Sequence, residues 1–405
     1  MRSEATVSNK DMLDRIRILS AEFAVTYPVR DRSNKYPTEE MNTLKRSGIL
    51  AAAVPKEYGG LGMTAEELIK SVMILAEGNP SIAQMFLVHC VIGAQFVTGF
   101  ATEAQRKHLF SQIVKNHAFI ANAASEKDSK DAYAYETTLT RASDKSGVLI
   151  NGKKFFCTGS QAADIVLVLG IMEGGFAAAF VAPKSEGLYM HDDWDVMGQR
   201  GTSSGSIEFR NVYVGLDMVI PKVGINELEP SNLFGPLTQG CFTAIYAGAA
   251  KGALKHSLRY VKTKTRPLAG SSVSRAVEDP YILLEVGKMS AYVSAAESLL
   301  LKAARLIDET LEMRGAVKDV EMARLRAEAS VAVSEAKVFA TEAGLRVCQD
   351  VFQVCGARAA LAEEDLDRYW RDVRTLTLHD PVGYKAKQVG EFLLQEKYPD
   401  VSLRS

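Results

Sequence analysis

Near its C-terminus the chain reads Leu378-His379-Asp380-Pro381-Val382, setting an imidazole beside a carboxylate immediately before a proline. Imidazole ordinarily titrates near neutral pH, so His379 is the first candidate for moving a proton. A histidine at a helix boundary ahead of a proline accounts for the same residues without any chemistry. The other histidines, His89, His108, His117, His191 and His256, make no His-Glu-x-x-His motif and no pair four residues apart. Zinc is therefore not expected. Ser203-Ser204-Gly205-Ser206 reads as a flexible approach to a strand, not as a nucleophile turn. The five cysteines, Cys90, Cys157, Cys241, Cys348 and Cys355, are scattered in apolar runs without a Cys-x-x-Cys pair and read as buried thiols in a reducing compartment.

These groups need elements to hold them, and the 405 residues are enough for two or three domains. Up to about Phe110 the apolar residues recur at helical spacing, as in Met12, Ile16, Leu19 and Phe23. After His117 the pattern shortens to strand-like runs at Val148 to Ile150, Ile165 to Leu169, Phe176 to Val181 and Ile207 to Phe209. Asn151-Gly152 and Gly174-Gly175 read as hairpin turns between them. From about Leu228 the chain is helical again. One stripe runs through Val286, Met289, Val293, Ala296, Leu300, Ala303 and Ile307, a second through Leu325, Ala329, Ala332, Ala336, Phe339 and Ala343. Alanine-rich stripes of this kind predict close antiparallel packing in a bundle. The expected domains are residues 1–117 (helical), 118–228 (β) and 229–405 (helical bundle), a mainly α chain with a middle β domain. That order is not the strand-helix alternation of a doubly wound fold, and no Gly-x-Gly-x-x-Gly follows a strand. Lysine and arginine (48) balance aspartate and glutamate (49), which gives no footprint for nucleic acid or an anionic membrane. No signal-peptide core and no membrane-length apolar run is read, so the expected partner is a small molecule and the expected location cytoplasmic.

Four segments occur in an order that resembles the acyl-CoA dehydrogenase superfamily: Val54-Pro55-Lys56-Glu57-Tyr58-Gly59-Gly60-Leu61-Gly62, Ile150 to Gly159, Met197-Gly198-Gln199-Arg200-Gly201-Thr202, and Arg371-Asp372. The resemblance implies a homotetramer whose subunit has an N-terminal helical domain, a small β-barrel-like domain and a C-terminal four-helix bundle, with flavin held between β domain and bundle. It assigns Phe156 and Thr158 to the flavin ring, Arg266 to the flavin phosphate and Arg371 to the cofactor region. The family's Arg-x-x-Phe-Gly is absent, Arg266 being followed by Pro267-Leu268-Ala269-Gly270, which departs from the FAD pattern.

At the position of the dehydrogenases' catalytic glutamate, eight residues after Asp372, stands Asp380. A carboxylate one methylene shorter falls about 1 Å short, worth on the order of a hundredfold in rate. Leu378 to Val382 and Ala121-Asn122-Ala123-Ala124-Ser125-Glu126 resemble instead the flavin monooxygenase branch that includes dibenzothiophene monooxygenase. That similarity implies a two-component enzyme: a separate NAD(P)H-dependent reductase delivers reduced FMN, and a flavin hydroperoxide formed with O2 oxygenates a small sulfur-containing or aromatic compound. His379 would then handle protons, Asn122 hydrogen-bond the peroxide or substrate, and Thr158 stabilise the adduct. His89 falls in a helix that would line the cavity, and reads equally as a satisfied core histidine. The alternative is an acyl-CoA dehydrogenase or nitroalkane-oxidase-like enzyme with bound FAD and Asp380 as base. A catalytically inactive scaffold is the third reading, disfavoured by the joint presence of His379, Asn122 and Thr158.

Overall fold

The computed structural model describes residues 9–127, 134–224, 229 and 231–402. Helices come first: α1 (Asn9–Ser33), α2 (Thr38–Arg46), α3 (Ala65–Gly78), α4 (Pro80–Leu87), α5 (Phe96–Phe100) and α6 (Glu103–Asn116). α1 buries Met12, Ile16, Leu19, Phe23 and Tyr27, the stripe read from the sequence. Capping boxes at Thr64/Glu67 and Thr102/Gln105 fix the starts of α3 and α6 by satisfying backbone N–H groups that a helix's first turn leaves without partners. Asn79 caps α4 through the N–H groups of Ser81 and Ile82, and Pro80 sits where its missing donor does no harm.

Between α4 and α5 the chain stays helical but widens into a π stretch, Val88–Gln95. Such stretches shift every later side chain around the axis and concentrate at functional sites. The whole run Pro80–Phe100 is long and apolar enough to cross a membrane by length and composition alone, but 72% of its window is buried inside the protein, as in a core helix.

The middle of the chain is one eight-stranded sheet: β1 (Ile120–Ala123), β2 (Thr138–Arg141), β3 (Gly147–Lys154), β4 (Ile165–Met172), β5 (Gly175–Val181), β6 (Leu188–Met190), β7 (Ile207–Gly215) and β8 (Val219–Ile220). The order is β6-β7-β3-β2-β4-β5-β8, with β1 added parallel to β4. Glu173 and Gly174, both at positive φ, turn β4 into β5 as read. Asn151-Gly152 does not make a hairpin. It lies inside β3 at a register shift against β7, where the Asn151 amide bonds Asn211 across the strands and Gly152 has φ +151°. A Cβ at Gly152 would sit 2.4 Å from the Thr137 hydroxyl, so glycine is required by a close strand neighbour and not by a turn.

The C-terminal helices are α7 (Phe234–Thr263), α8 (Pro280–Glu312), α9 (Asp319–Cys355), α10 (Arg368–Leu376) and α11 (Val382–Gln395). α8 buries Met289, Val293, Ala296, Leu300, Ala303 and Ile307 against the Ala329, Ala332, Ala336 and Ala343 stripe of α9. α7 is central, packing on α3, α8 and α9. At Gly248 its backbone lies so near α3 that a Cβ would meet the Met73 carbonyl oxygen at 2.3 Å. The boundary read at residue 228 lies outside the described residues. All five cysteines are buried and unpaired by disulfides.

Candidate active site

Where β domain and bundle meet, a chamber of about 130 Å³ is lined by Ile92, Phe96, Leu167, Leu169, Phe234 and Phe242 on its apolar side. Asn122, Ser125, Tyr135, Thr238, Gln239 and His379 supply its polar atoms. Each arrives by a local rule. The π stretch turns Ile92 inward, β1 carries Asn122, and the first turns of α7 bring Phe234, Thr238, Gln239 and Phe242. His379 stands in the turn between α10 and α11 and stacks on Phe242, ring centroids 4.1 Å apart.

The polar groups fall into two sets. Away from the C-terminal side, Asn122 Oδ1 on β1 is buried without a hydrogen-bond partner, and so is Gln84 Oε1 on α4. Thr158 is almost fully buried in a hydroxyl chain: Thr202 donates to the Gln199 carbonyl (2.8 Å), its oxygen lies 2.7 Å from Ser204, and Ser204 lies 2.9 Å from Thr158. Because a hydroxyl has one proton, Thr202 accepts from Ser204 and Ser204 accepts from Thr158. Thr158 therefore donates to Ser204, and its oxygen accepts from Gln84 Nε2 at 3.4 Å. Phe156, held at positive φ, is 53% exposed and meets Trp194 edge-on at 5.8 Å. The segment joins the chamber wall directly, since the Phe155 N–H donates to the Ser125 carbonyl at 2.8 Å.

On the C-terminal side Asp380 and Arg371 are taken up by ion pairs with their neighbours. Asp380 is buried between Lys337 (3.2 Å) and Lys385 (3.3 Å), and Lys337 also donates to the chamber residue Gln239. Burial alone would raise the carboxyl, but the two ammonium groups outweigh it and hold it below its ordinary value. Asp380 does not line the chamber, which corrects its expected role as a base. Arg371 is likewise no cofactor arm: its guanidinium binds both oxygens of Asp31, then Asp365, Asp367 and the Met197 carbonyl. Next to it, Asp372 accepts from the Tyr27 hydroxyl and from the Gln199 N–H. Complete burial pushes the Asp372 carboxyl up to about 7.

His89 is corrected too. Its Nε2 donates to the Leu50 carbonyl at 2.8 Å and its Nδ1 accepts the Ile120 N–H at 3.0 Å, so both ring nitrogens serve backbone. Full burial lowers the ring to about 4 and fixes it neutral. Its work is to pin β1 two residues before Asn122. Arg266 lies exposed beyond the end of α7, and the helix from Phe242 to Thr263 carries it about 30 Å along the axis from the chamber. One subunit therefore does not bring Arg266 to the site. Ser203-Ser204 is not flexible either. The run Gly201-Thr202-Ser203-Ser204-Gly205 has the letters of a nucleophile elbow and Ser203 does take positive φ, but its hydroxyl accepts from Gln161 N–H and adjoins Ser160, with no histidine among its hydrogen-bond partners.

Sequence reasoning missed Gln84, Ser204, Phe234, Gln239, Phe242 and Lys337. The available signal for Gln84 and Lys337 was a single polar residue on an otherwise apolar or alanine-rich helix face. Among the described residues no cluster of metal-ligating side chains is found.

Three family descriptions match in succession: acyl-CoA dehydrogenase N-terminal domain at residues 10–117, middle domain at 121–212 and C-terminal domain at 240–383. The chain is 34% identical to dibenzothiophene monooxygenase of Mycolicibacterium goodii, with 96% of this chain and 95% of that one aligned. It is 31% identical to the probable FMNH2-dependent monooxygenase SfnC of Pseudomonas putida, covering 96% of each. In structure it is similar to FMN-bound TdsC from Paenibacillus sp. A11-2, with a TM-score of 0.90, 33% identity, and 97% and 99% of the two chains covered.

Proposed function

The chain belongs to the acyl-CoA dehydrogenase family, in its flavin-dependent monooxygenase branch, and from that premise we propose that it uses reduced FMN and O2 to oxygenate a small sulfur-containing compound. One observation carries this reading over dehydrogenation. Among the described residues lining the chamber, the side chain suited to neutral-pH proton transfer is His379, while the carboxylate in the dehydrogenase register, Asp380, is turned away into two lysines.

The residues present fit a reduced flavin. Asn122 Oδ1 and Gln84 Oε1 are acceptors without partners, and Thr158, which donates to Ser204 and accepts from Gln84 Nε2 at 3.4 Å, keeps one lone pair to accept a further hydrogen bond. A ring system rich in N–H donors satisfies such a set, and the reduced flavin carries more of them than the oxidised form. Phe156 and Trp194 give an aromatic surface against which the ring would lie. When bound, reduced flavin supplies the two electrons with which one oxygen atom of O2 goes to substrate and the other leaves as water.

The chain's own residues bind, orient and protonate. His379, stacked on Phe242 and so limited in rotation, delivers from its ring the proton that the departing oxygen requires. Asn122 orients the polar end of the substrate. Ile92, Phe96, Leu167 and Phe242 exclude water, without which oxidising equivalents would be lost to solvent. Reduced FMN is supplied by a separate NAD(P)H-dependent reductase, and the subunits assemble as a homotetramer.

The test is direct. The purified protein retains little flavin, consumes O2 only when reduced FMN is added, and is not bleached by acyl-CoA thioesters. Stoichiometric FAD reduced anaerobically by an acyl thioester would replace this reading with the dehydrogenase one.

A further inference from the structure

A second cavity of about 340 Å³ lies against the first, lined by Met63, Leu68, Gln95, Phe100, Leu237 and Ile307 among others, and its rim at Gly99, Leu311 and Arg314 is exposed. Phe234 lines both cavities. The same helical turn supplies the rest of the partition: Phe96 faces the inner chamber and Phe100 the outer one, their ring centroids 4.7 Å apart. The π stretch just before them is what sends Ile92 and Phe96 inward while Gln95 faces the outer cavity.

Phe234 is held in place by its backbone. Its N–H donates to Asn232 Oδ1 at 3.0 Å, its carbonyl accepts from the Thr238 hydroxyl at 2.7 Å, and Arg314 anchors the preceding Ser231 carbonyl at 2.7 Å. The ring is only half-buried, because cavity lies on either side of it. The inner volume sets the scale. A dry protein cavity of about 150 Å³ accepts benzene, so a chamber of this size matches one ring or a short alkyl sulfur compound better than three fused rings.

We infer that Phe234 is the size-determining residue of the enzyme, closing a vestibule from the reaction chamber and restricting the substrate to sulfur compounds of one ring or less. The inference rests on the monooxygenase reading for its chemistry and on the two cavities for its geometry. Removing the ring joins the cavities and admits larger aromatic sulfides by way of the vestibule.

The experiment compares methyl phenyl sulfide with dibenzothiophene, in wild type, Phe234→Ala and Phe234→Leu. Oxygenation is followed with reduced FMN supplied enzymatically, and binding is followed separately by fluorescence or calorimetric titration of the flavin-free protein. In wild type kcat/KM favours methyl phenyl sulfide by a hundredfold or more. Phe234→Ala lowers that preference at least tenfold, mainly through tighter binding of dibenzothiophene, and Phe234→Leu falls between. Equal binding of dibenzothiophene by wild type and both folded variants overturns the inference. If neither probe is oxygenated by any form, the monooxygenase reading fails, and the binding ratios still decide whether Phe234 sets the size.

Discussion

The two walls of the chamber handle polar atoms in opposite ways. Behind the C-terminal wall, outside the chamber lining, Asp380 answers Lys337 and Lys385, and Arg371 answers Asp31, Asp365 and Asp367. On the opposite side Asn122 Oδ1 on β1 and Gln84 Oε1 on α4 have no partner, and Phe156 is bared. Buried charges left alone are costly, so a carboxylate with two ammonium neighbours is built to stay where it is. Unsatisfied neutral acceptors are a smaller expense, and they are tolerated where a ligand completes them. His379 stands on the C-terminal side, and its ring lines the chamber.

Breaking the saturated wall has the largest effect. Asp380→Ala leaves two ammonium groups facing one another and lowers unfolding free energy by about 3 kcal/mol, read from urea denaturation. The loosened Lys337 and Gln239 also disturb the chamber, so activity falls with stability. His379→Ala separates the two quantities: the side chain is exposed, the melting temperature holds, and oxygenation drops on the order of a hundredfold. An equal loss of stability and activity in this variant would return His379 to the structural set.

On the open wall stability and function come apart. Asn122→Ala removes an acceptor that the protein alone does not satisfy, so stability changes by less than about 0.5 kcal/mol while reduced-FMN or substrate affinity falls about tenfold. A clear destabilisation would mean that Asn122 belongs with Asp380 and Arg371.

In pH dependence two buried groups pull in opposite directions. His89 is lowered from 6.5 to about 4 by burial, so the unfolded chain takes up a proton that the folded one refuses. Its contribution is complete above pH 6.5 and is lost as pH falls toward 4. Asp372 is raised from 3.8 to about 7 by burial, so the folded state keeps a proton that the unfolded chain releases. Its contribution is complete below about 3.8 and declines as pH rises through 7. Urea midpoints across this range rise on the alkaline side in Asp372→Asn relative to wild type, and a parallel shift at all pH values would remove Asp372 from the explanation.

Much of this arrangement was legible in the residues. The stripes of α8 and α9 were visible because close helix packing demands small residues at a strict period, and the strands showed as short β-branched runs. The π stretch was not visible, since its extra residue per turn leaves no mark in an apolar segment. Asn151-Gly152 misled because the demand for glycine came from Thr137, a neighbour that local sequence does not reveal. For the site, types and register pointed to His379, Asn122 and Thr158, but which carboxylate or histidine would be neutralised depended on partners far along the chain. Lys337 lies 43 residues from Asp380, and Leu50 39 from His89.

Those separations have a biosynthetic consequence. Asp372 ties Tyr27, 345 residues away, to Gln199, 173 residues away, and Gly198 packs so tightly there that a Cβ would meet the Arg371 carbonyl at 2.2 Å. Long closures of this kind form late, after local helices and hairpins. Asp372 and His379 follow the whole β domain in the chain, so a chain emerging from the ribosome has the residues of its β wall before it has the aspartate clasp or the histidine that closes the chamber.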